Sequence, residues 1–247
     1  MAQIFLVAFY QPLLNLLVFL YNTAAFRDLG IAIILLTVVI KLVLYPLSKK
    51  AIVSQKAMQD LQPKINELKE KYKDDKQQQS VALMALYKDN KINPFSSCLP
   101  ILIQLPFLIA VFRIFRDDLN KHLELVYTFI YRPETINHIA FGFLDLSKPS
   151  VYIAVLAGLA QFVQAKMMMA KKDKKTVDLA KAGDKKSDDM TTIMNKQMLY
   201  LMPALTIFIG ISLPGGLTFY WLVVTLLTAL QQWYVFNQDE KAVKVIN

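Results

Sequence analysis

A lysine inside an apolar segment is the residue of this sequence best placed to act on a polar partner in a nonpolar environment. Lys41 lies within Ile31–Leu47, six residues before its end, which is about 9 Å deep in a helix that rises about 1.5 Å per residue. At that depth the side chain can extend its ammonium group to the membrane headgroups. Alternatively it offers a buried positive charge to a substrate, because ionisable residues within spans often mark functional sites. The residue alone leaves both interpretations open.

Polar side chains accompany Lys41 on its own segment and on other apolar segments. Thr37 and Tyr45 lie one helical turn before and after Lys41, on the same helix face. The last apolar segment carries a second polar stripe at helical spacing, formed by Thr218, Trp221, Thr225, Thr228 and Gln232. Further amides in apolar segments are Gln104, Gln161 and Gln164.

These polar faces have two interpretations. Hydroxyls and amides often join membrane helices by hydrogen bonds, so each residue taken singly favours a packing role. Taken together, they predict that several helices turn polar faces toward one hydrated cavity. A channel, a carrier and an insertase would all use such a cavity.

The composition predicts an all-α polytopic membrane protein. Of the 247 residues, 55% are hydrophobic and 19% are charged, whereas soluble domains are about 45–50% apolar and about 25% charged. The apolar residues come in long blocks, which argues against a soluble enzyme. Cys98 is the single cysteine and there are two histidines, so we expect neither a disulfide framework nor a metal centre. No cofactor is predicted.

Five apolar blocks predict the spans of the bundle, over residues 29–47, 98–115, 151–169, 198–213 and 216–236. A sixth block, Ile4–Tyr21, has no charge but is interrupted by Gln11, Pro12 and Asn15. Hydropathy alone does not distinguish a span from an interfacial helix there. The block 198–213 has 16 residues and reaches about 24 Å, less than a hydrocarbon core of about 30 Å, so a locally thinned bilayer is expected.

Lysine and arginine are unevenly distributed over the connections, which predicts the orientation. Residues 48–97 hold ten, 170–197 hold eight and the tail 237–247 holds two, whereas the external segment 116–150 holds four. Because basic loops remain in the cytoplasm, the first three segments are predicted to be cytoplasmic. The net charge of +9 then needs no nucleic-acid partner, and none is predicted.

The two longer cytoplasmic segments differ in pattern. Residues 48–97 have apolar residues near helical spacing on both sides of a turn at Lys73–Lys76, and Asn93-Pro94 stops the second helix. They are predicted to form a helical hairpin. Residues 170–197 are rich in Lys and Asp over most of their length and are predicted to be a charged, mobile loop.

Ordered motifs resemble the YidC/Oxa family of membrane protein insertases from about Gln11 to Phe236. They are KLVLYPL at 41–47 (first core span), LQPKI at 61–65, DDK at 74–76 and ALYK at 85–88 (cytoplasmic hairpin), NP at 93–94, CLP at 98–100 and LIQLP at 102–106 (second span), and LPGGL at 213–217, YW at 220–221 and QQ at 231–232 (last hairpin). The order of the motifs makes the combined resemblance specific.

The resemblance implies the short bacterial form of this family, or a core lacking a leader, in the bacterial cell (inner) membrane. It implies a five-span core with the N-terminus outside and the C-terminus cytoplasmic, and residues 1–28 as an external interfacial helix with its link. It also implies a groove open to cytoplasm and lipid, with Lys41 at the position where the family more often has Arg. Substrate-groove residues would be Lys41, Thr37, Gln104, Gln161, Gln164, Trp221 and Thr225.

The function that this resemblance implies is a non-enzymatic insertase and chaperone. Nascent membrane proteins and the lipid bilayer would be its partners, with the ribosome and the Sec translocon as further candidates. The tail 237–247 has two lysines and two acidic residues, which argues against ribosome docking through the tail. A channel or small-solute transporter using the same polar faces is the alternative, although no internal repeat supports it. A structural assembly factor without insertion activity is a third interpretation.

Overall fold

The structure, a computed structural model, describes residues 2–90, 92–93, 99–116, 119–168 and 197–246. Long apolar helices dominate this part of the chain, so the prediction of an all-α polytopic membrane protein is confirmed. Of the predicted segments, the charged loop (apart from Gln197), Lys91 and residues 94–97 of the hairpin, Cys98 and Met169 lie outside the described residues.

The chain begins with one continuous helical segment. Helix α1 (Ala2–Phe5) passes through a π-helical turn (Leu6–Tyr10) into α2 (Gln11–Thr23). Pro12, which has no N–H to donate, lies in the first turn of α2, directly after the π-helical turn.

Asn15 explains why polar residues interrupt the first apolar block. Its side chain is buried, and its amide donates to the carbonyl oxygens of Gln11 at 2.8 Å and Leu125 at 3.2 Å. Its own oxygen accepts the backbone N–H of Tyr127 at 2.7 Å. The polar face of α2 therefore docks this helix onto the segment that contains Leu125 and Tyr127.

A sharp bend separates the first apolar helix from the hairpin that follows it. Helix α3 (Leu29–Val43) meets α4 (Tyr45–Asp60) at 73°, and Pro46 in the first turn of α4 disfavours a continuous helix at this point. Helix α5 (Gln62–Lys71) leads to the turn, and Asp75 caps α6 (Lys76–Asp89) by accepting the backbone N–H groups of Gln77 and Gln78.

The remaining helices complete the bundle. They are α7 (Leu99–Arg116), α8 (Val151–Met167), α9 (Met202–Gly210), which a π-helical turn (Gln197–Leu201) precedes, and α10 (Gly215–Ile246). Helix α10 packs on α8 and α3, and α9 packs on α8. The core between α2, α3, α7 and α10 contains large, fully buried side chains such as Leu14, Leu17, Ile33, Leu36, Ile114 and Tyr220.

The number of spans is not determined by the helices alone. Within the described residues, Gln3–Thr23 and Gly215–Asn237 are long and apolar enough to cross a membrane, and the bent pair α3–α4 makes a third if it counts as one span. Val151–Met167 and Gln197–Gly210 are shorter apolar helices. The five-span arrangement therefore stays a prediction.

Residues 119–150, which are predicted to be external, pack at one end of the bundle. After a 3₁₀ helix (Leu119–Leu125), β1 (Ile139–Ala140) pairs antiparallel with β2 (Leu144–Asp145). This small hairpin was not predicted from the sequence. The backbone N–H of Gly215 donates to Lys148 O at 3.0 Å, so the segment is joined to the start of α10.

Candidate functional site

A small, partly open cleft lies where α3, α4, α7 and α10 meet. Each helix contributes a polar side chain to it. The lining residues are Lys41, Leu44, Ser48, Ile52, Ile103, Gln104, Thr228, Gln231 and Gln232.

Lys41 is held across the cleft by the last helix. Its ammonium Nζ donates to Thr228 Oγ1 at 2.6 Å. The Thr228 hydroxyl donates its own proton to Val224 O at 2.5 Å, so its oxygen is free to accept. Because an ammonium group has three donor protons, Lys41 keeps the capacity to bind an additional acceptor.

The charge of Lys41 is not neutralised within the cleft. Its described lining contains no Asp or Glu, and the ammonium is paired there with a neutral hydroxyl. A partly enclosed cleft of one sign of charge attracts ligands of the opposite sign. The cleft is therefore suited to carboxylates and to polar groups that accept hydrogen bonds.

Side-chain hydrogen bonds fix the walls of the cleft. Gln231 Nε2 on α10 donates to Ser48 Oγ on α4 at 3.0 Å, and Gln104 Nε2 on α7 donates to Tyr220 Oη on α10 at 2.6 Å. Farther along, Lys56 Nζ donates to Phe236 O at 3.1 Å. Both the hairpin and α7 are thus attached to α10.

Two of the seven predicted groove residues, Lys41 and Gln104, line this cleft. Thr37 does not: it is fully buried, and its hydroxyl donates to Ile33 O at 2.6 Å within its own helix. Thr225 is buried, and Trp221 is half-buried against the core.

The two predicted glutamines of α8 lie outside the cleft lining. Gln161 accepts a hydrogen bond from Thr206 on α9, and Gln164 is half-buried. This contact matches the packing role that amides have between membrane helices. A role of either residue in binding substrate stays a prediction.

Four polar lining residues were missing from the predicted set: Ser48, Thr228, Gln231 and Gln232. For Thr228 and Gln232 a signal existed, because they belong to the helical stripe of the last apolar block. Ser48 had no comparable signal, since the bend between α3 and α4 brings it to the cleft.

Known proteins match this chain over most of its length. A sequence profile described as 60Kd inner membrane protein matches residues 19–242. The membrane protein insertase YidC of Fusobacterium nucleatum subsp. nucleatum is 32% identical over 233 residues, which are 93% of this chain and 97% of that protein.

Two larger relatives match in the same way. The proteins of that name from Citrifermentans bemidjiense and Haemophilus influenzae are 34% and 32% identical over 91% and 94% of this chain. The matches cover 36% and 37% of those two proteins. The chain thus spans about a third of the length of these relatives.

The helices, the polar cleft and these matches define a multi-pass membrane protein of the bacterial inner membrane, of the class of membrane protein insertases. Within that class, the chain belongs to the 60Kd inner membrane protein family.

Proposed function

We propose that this chain takes the polar segment of a nascent membrane protein into the cleft and releases the adjoining apolar helix to lipid. The observation that carries the proposal is Lys41, a cation on an apolar helix that lines the cleft and is paired with a neutral hydroxyl. The process breaks no covalent bond, so it needs electrostatic and hydrogen-bonding groups rather than a nucleophile or a metal.

The cleft lowers the cost of moving a polar segment into the membrane. Unpaired backbone groups in hydrocarbon each cost several kcal/mol, whereas the cleft offers hydroxyl, amide and ammonium partners. The apolar helix of the substrate then gains about 25 cal/mol per Å² of apolar surface that leaves water. This second step supplies the driving force for release.

Helix α7 supplies an apolar path beside the cleft. Ile103 and Gln104 line the cleft, whereas Leu102, Leu105 and Ile109 are exposed. The three exposed residues follow i, i+3 and i+7 and therefore share one helix face. A substrate helix leaving the cleft along this face stays in contact with apolar side chains.

We further propose that the N-terminal helical segment lies along the outer interface. Arg113 lies over the Phe5 ring, 5.1 Å from its centroid, and Asn22 near the other end donates to Tyr131 O at 2.6 Å. Arg113 is near the end of α7 that leads into the external segment, and Tyr131 belongs to that segment. Both ends of the N-terminal helical segment thus contact the side of the bundle that is proposed to be external, which supports an interfacial helix.

The predicted orientation completes the proposal, with the hairpin and the C-terminus in the cytoplasm. The hairpin α4–α6 presents exposed apolar side chains such as Val81 and Met84, which are suited to a first contact with a substrate or a targeting partner. The ribosome and the Sec translocon are proposed as partners at this side.

The decisive experiment replaces the native insertase of a bacterial host with this chain. The readout is insertion of two single-span substrates that differ only in an acidic or a neutral external segment. We expect the chain to restore insertion of both. Lys41→Met should reduce insertion of the acidic substrate more strongly than insertion of the neutral one. Lys41→Arg should retain most of the insertion activity because the charge remains. Lys121→Met, at an exposed lysine of the external segment, is the matched control.

Two outcomes contradict the proposal. If the chain restores neither substrate, the insertase function is wrong. If Lys41→Met reduces insertion of both substrates equally, the proposed electrostatic role of Lys41 is wrong. Solute flux through the purified chain in liposomes, without insertion, would favour the channel or transporter alternative.

A further inference from the structure

Among the described residues, the four most exposed large hydrophobic side chains are all aromatic. Phe26 is 89% exposed, Tyr152 83%, and Phe129 and Phe143 81% each. Phe26 lies in the turn between α2 and α3, and Tyr152 is the second residue of α8. Exposed apolar surface that clusters in one place marks a contact with a membrane or with another molecule.

The segment that carries Phe129 lies beside the end of α2. Asn22 Nδ2, in the last turn of that helix, donates to Tyr131 O at 2.6 Å. The ring of Phe129 stacks on that of Tyr127, with the ring centroids 5.3 Å apart. Phe129 and Tyr131 are therefore close to the turn that contains Phe26.

The hairpin of β1 and β2 approaches the same turn from its other side. Asp28 Oδ2 accepts the backbone N–H of Phe141 at 2.5 Å, and the Phe141 ring packs against Gly30. Phe143, two residues later, is exposed at the tip of this hairpin. Three segments thus bring exposed rings to one end of the bundle, and these rings form the aromatic patch: Phe26, Phe129, Tyr131 and Phe143.

The backbone of the turn directs the Phe26 ring away from the bundle. Phe26 and Arg27 have φ angles of 51° and 61°, in the left-handed region that is unfavourable for bulky side chains. The turn is fixed from inside, because Ala25 is fully buried and its carbonyl accepts the Asp28 N–H at 2.8 Å. Phenylalanine at this position combines an unfavourable backbone with an exposed apolar ring. Both are explained if the surroundings of the ring are not water.

Two rings of the aromatic patch are each followed directly by an arginine. Arg27 follows Phe26 and Arg132 follows Tyr131. Both arginines are exposed, and neither forms an ion pair with another described residue. Guanidinium groups bind phosphates through paired hydrogen bonds, and aromatic rings are suited to the boundary between headgroups and acyl chains. The combination is complementary to the surface of a phospholipid bilayer.

We propose that the aromatic patch, with Arg27 and Arg132, anchors this end of the bundle in the phospholipid headgroup region. In the proposed orientation this is the outer leaflet. Lipid is favoured over a partner protein because the exposed Phe19 of α2 continues the apolar surface from the interfacial helix to the patch. Lys41 lies about 18 Å along α3 from its first residue. An anchor at the start of α3 therefore also fixes the depth of this cation in the bilayer.

The test places a single tryptophan in the patch, by Phe26→Trp or, as a second reporter, Phe143→Trp. The two native tryptophans are first replaced by Trp221→Phe and Trp233→Phe. The chain is reconstituted in phosphatidylcholine–phosphatidylglycerol vesicles whose acyl chains are brominated either near the headgroup or near the bilayer centre. Both reporters should be quenched several-fold more strongly by the shallow bromines. Gln77→Trp, at an exposed position of the cytoplasmic hairpin, is the matched control and should be quenched by neither lipid.

Two quenching results overturn the proposal. Reporters that are as little quenched as the Gln77→Trp control lie in water or under a protein partner. Stronger quenching by the deep bromines places the patch in the hydrocarbon core. The measurement needs no insertion activity, so its outcome is independent of the proposed insertase function.

Phe26→Asn separates anchoring from a role in the fold. Asparagine tolerates the left-handed conformation better than phenylalanine does, so the Tm in detergent should stay the same or rise. In vesicles, shallow quenching of the Phe143→Trp reporter should decrease, because one ring of the anchor is missing. A lower Tm, or unchanged quenching of the reporter, would show that the Phe26 ring does not serve as a lipid anchor.

Discussion

The Nζ atom of Lys41 lies 2.6 Å from Oγ1 of Thr228, a residue 187 positions later in the chain. This hydrogen bond joins α3 to α10 at the cleft. The hydroxyl is itself directed by its bond to Val224 O, so its lone pairs are left for the ammonium. The position of the cation is therefore set by the last helix as well as by its own.

Removing the Thr228 hydroxyl should destabilise the bundle through Lys41. Thr228→Val has nearly the same shape but leaves the half-buried ammonium without its acceptor, which should cost about 1–3 kcal/mol. Thr228→Ser keeps the acceptor and should behave nearly as the unmutated protein. Thermal unfolding in detergent measures both.

A double-mutant cycle checks that this effect comes from the pair. In the Lys41→Met background, the loss of unfolding free energy caused by Thr228→Val should be smaller than in the unmutated chain. The expected difference is about 0.5–3 kcal/mol, the range of coupling between contacting residues. Equal costs in both backgrounds would show that the hydroxyl acts through packing alone.

Asp28 should hold the hairpin of β1 and β2 on the end of α3. Its Oδ1 accepts the backbone N–H of Ile31 at 3.0 Å and caps the helix, and its Oδ2 accepts that of Phe141 at 2.5 Å. Phe141 has a φ of 55°, a conformation that is unfavourable for a bulky residue. Asp28→Ala should therefore lower stability by more than the roughly 1 kcal/mol of a lost cap, and hydrogen exchange at Ile31 and Phe141 should accelerate.

The neighbouring Phe143 provides a control for this hairpin. It is 81% exposed, so Phe143→Ala should change stability by less than about 0.5 kcal/mol, as surface substitutions usually do. If Asp28→Ala and Phe143→Ala have the same small effect, the carboxylate does not hold the hairpin.

Asn15→Leu should weaken the attachment of α2, although it makes the first apolar block more hydrophobic. The substitution leaves the N–H of Tyr127 without the acceptor that it has at 2.7 Å, at a cost of about 1–3 kcal/mol. Proteolysis of the external segment should become faster. Phe19→Leu, at an exposed position of the same helix, should leave proteolysis unchanged, and an unchanged rate for Asn15→Leu would contradict the docking role.

Gly158 allows α8 and α9 to approach closely. A methyl group at this position would overlap the side chain of Ile207 and lie 3.0 Å from Pro203 O. Gly158→Ala should lower stability by about 1–3 kcal/mol, as overpacking does. Ile207→Ala removes both carbons that a methyl group at Gly158 would meet, Cγ1 and Cδ1, so in thermal unfolding it should cost less in the Gly158→Ala background than in the unmutated chain. Equal costs would show that the two side chains do not compete for space.

Asp145 should titrate well below an ordinary aspartate. The side-chain hydroxyl of Ser147, with Lys148 and the Ser147 N–H, lowers the pKa of its carboxyl from 3.8 to about 2. Because the folded-state pKa is the lower one, the stabilisation is present above pH 3.8 and is lost as the pH falls toward 2. Ser147→Ala should raise the pKa, which carbon NMR of the carboxyl measures, whereas Lys121→Met should not change it.

The residue pattern alone predicted an all-α polytopic membrane protein, and it drew attention to Lys41 as a cation within an apolar segment. These features depend on local composition and periodicity: apolar blocks, caps such as Asp75 and prolines such as Pro46 act within a few residues. Strands β1 and β2 escaped prediction because two residues each are too short to show a period.

Tertiary structure decided which polar side chains meet. Thr37 and Thr228 both belonged to polar helical stripes, yet the first is buried with its hydroxyl bonded inside α3 and the second holds the cation. Gln161 was predicted to lie in the groove and instead pairs with Thr206, whereas Gln232 lines the cleft with an oxygen left unpaired. Helical spacing predicts which residues share a face of a helix. Which residues that face contacts depends on how distant helices pack and on the bend between α3 and α4.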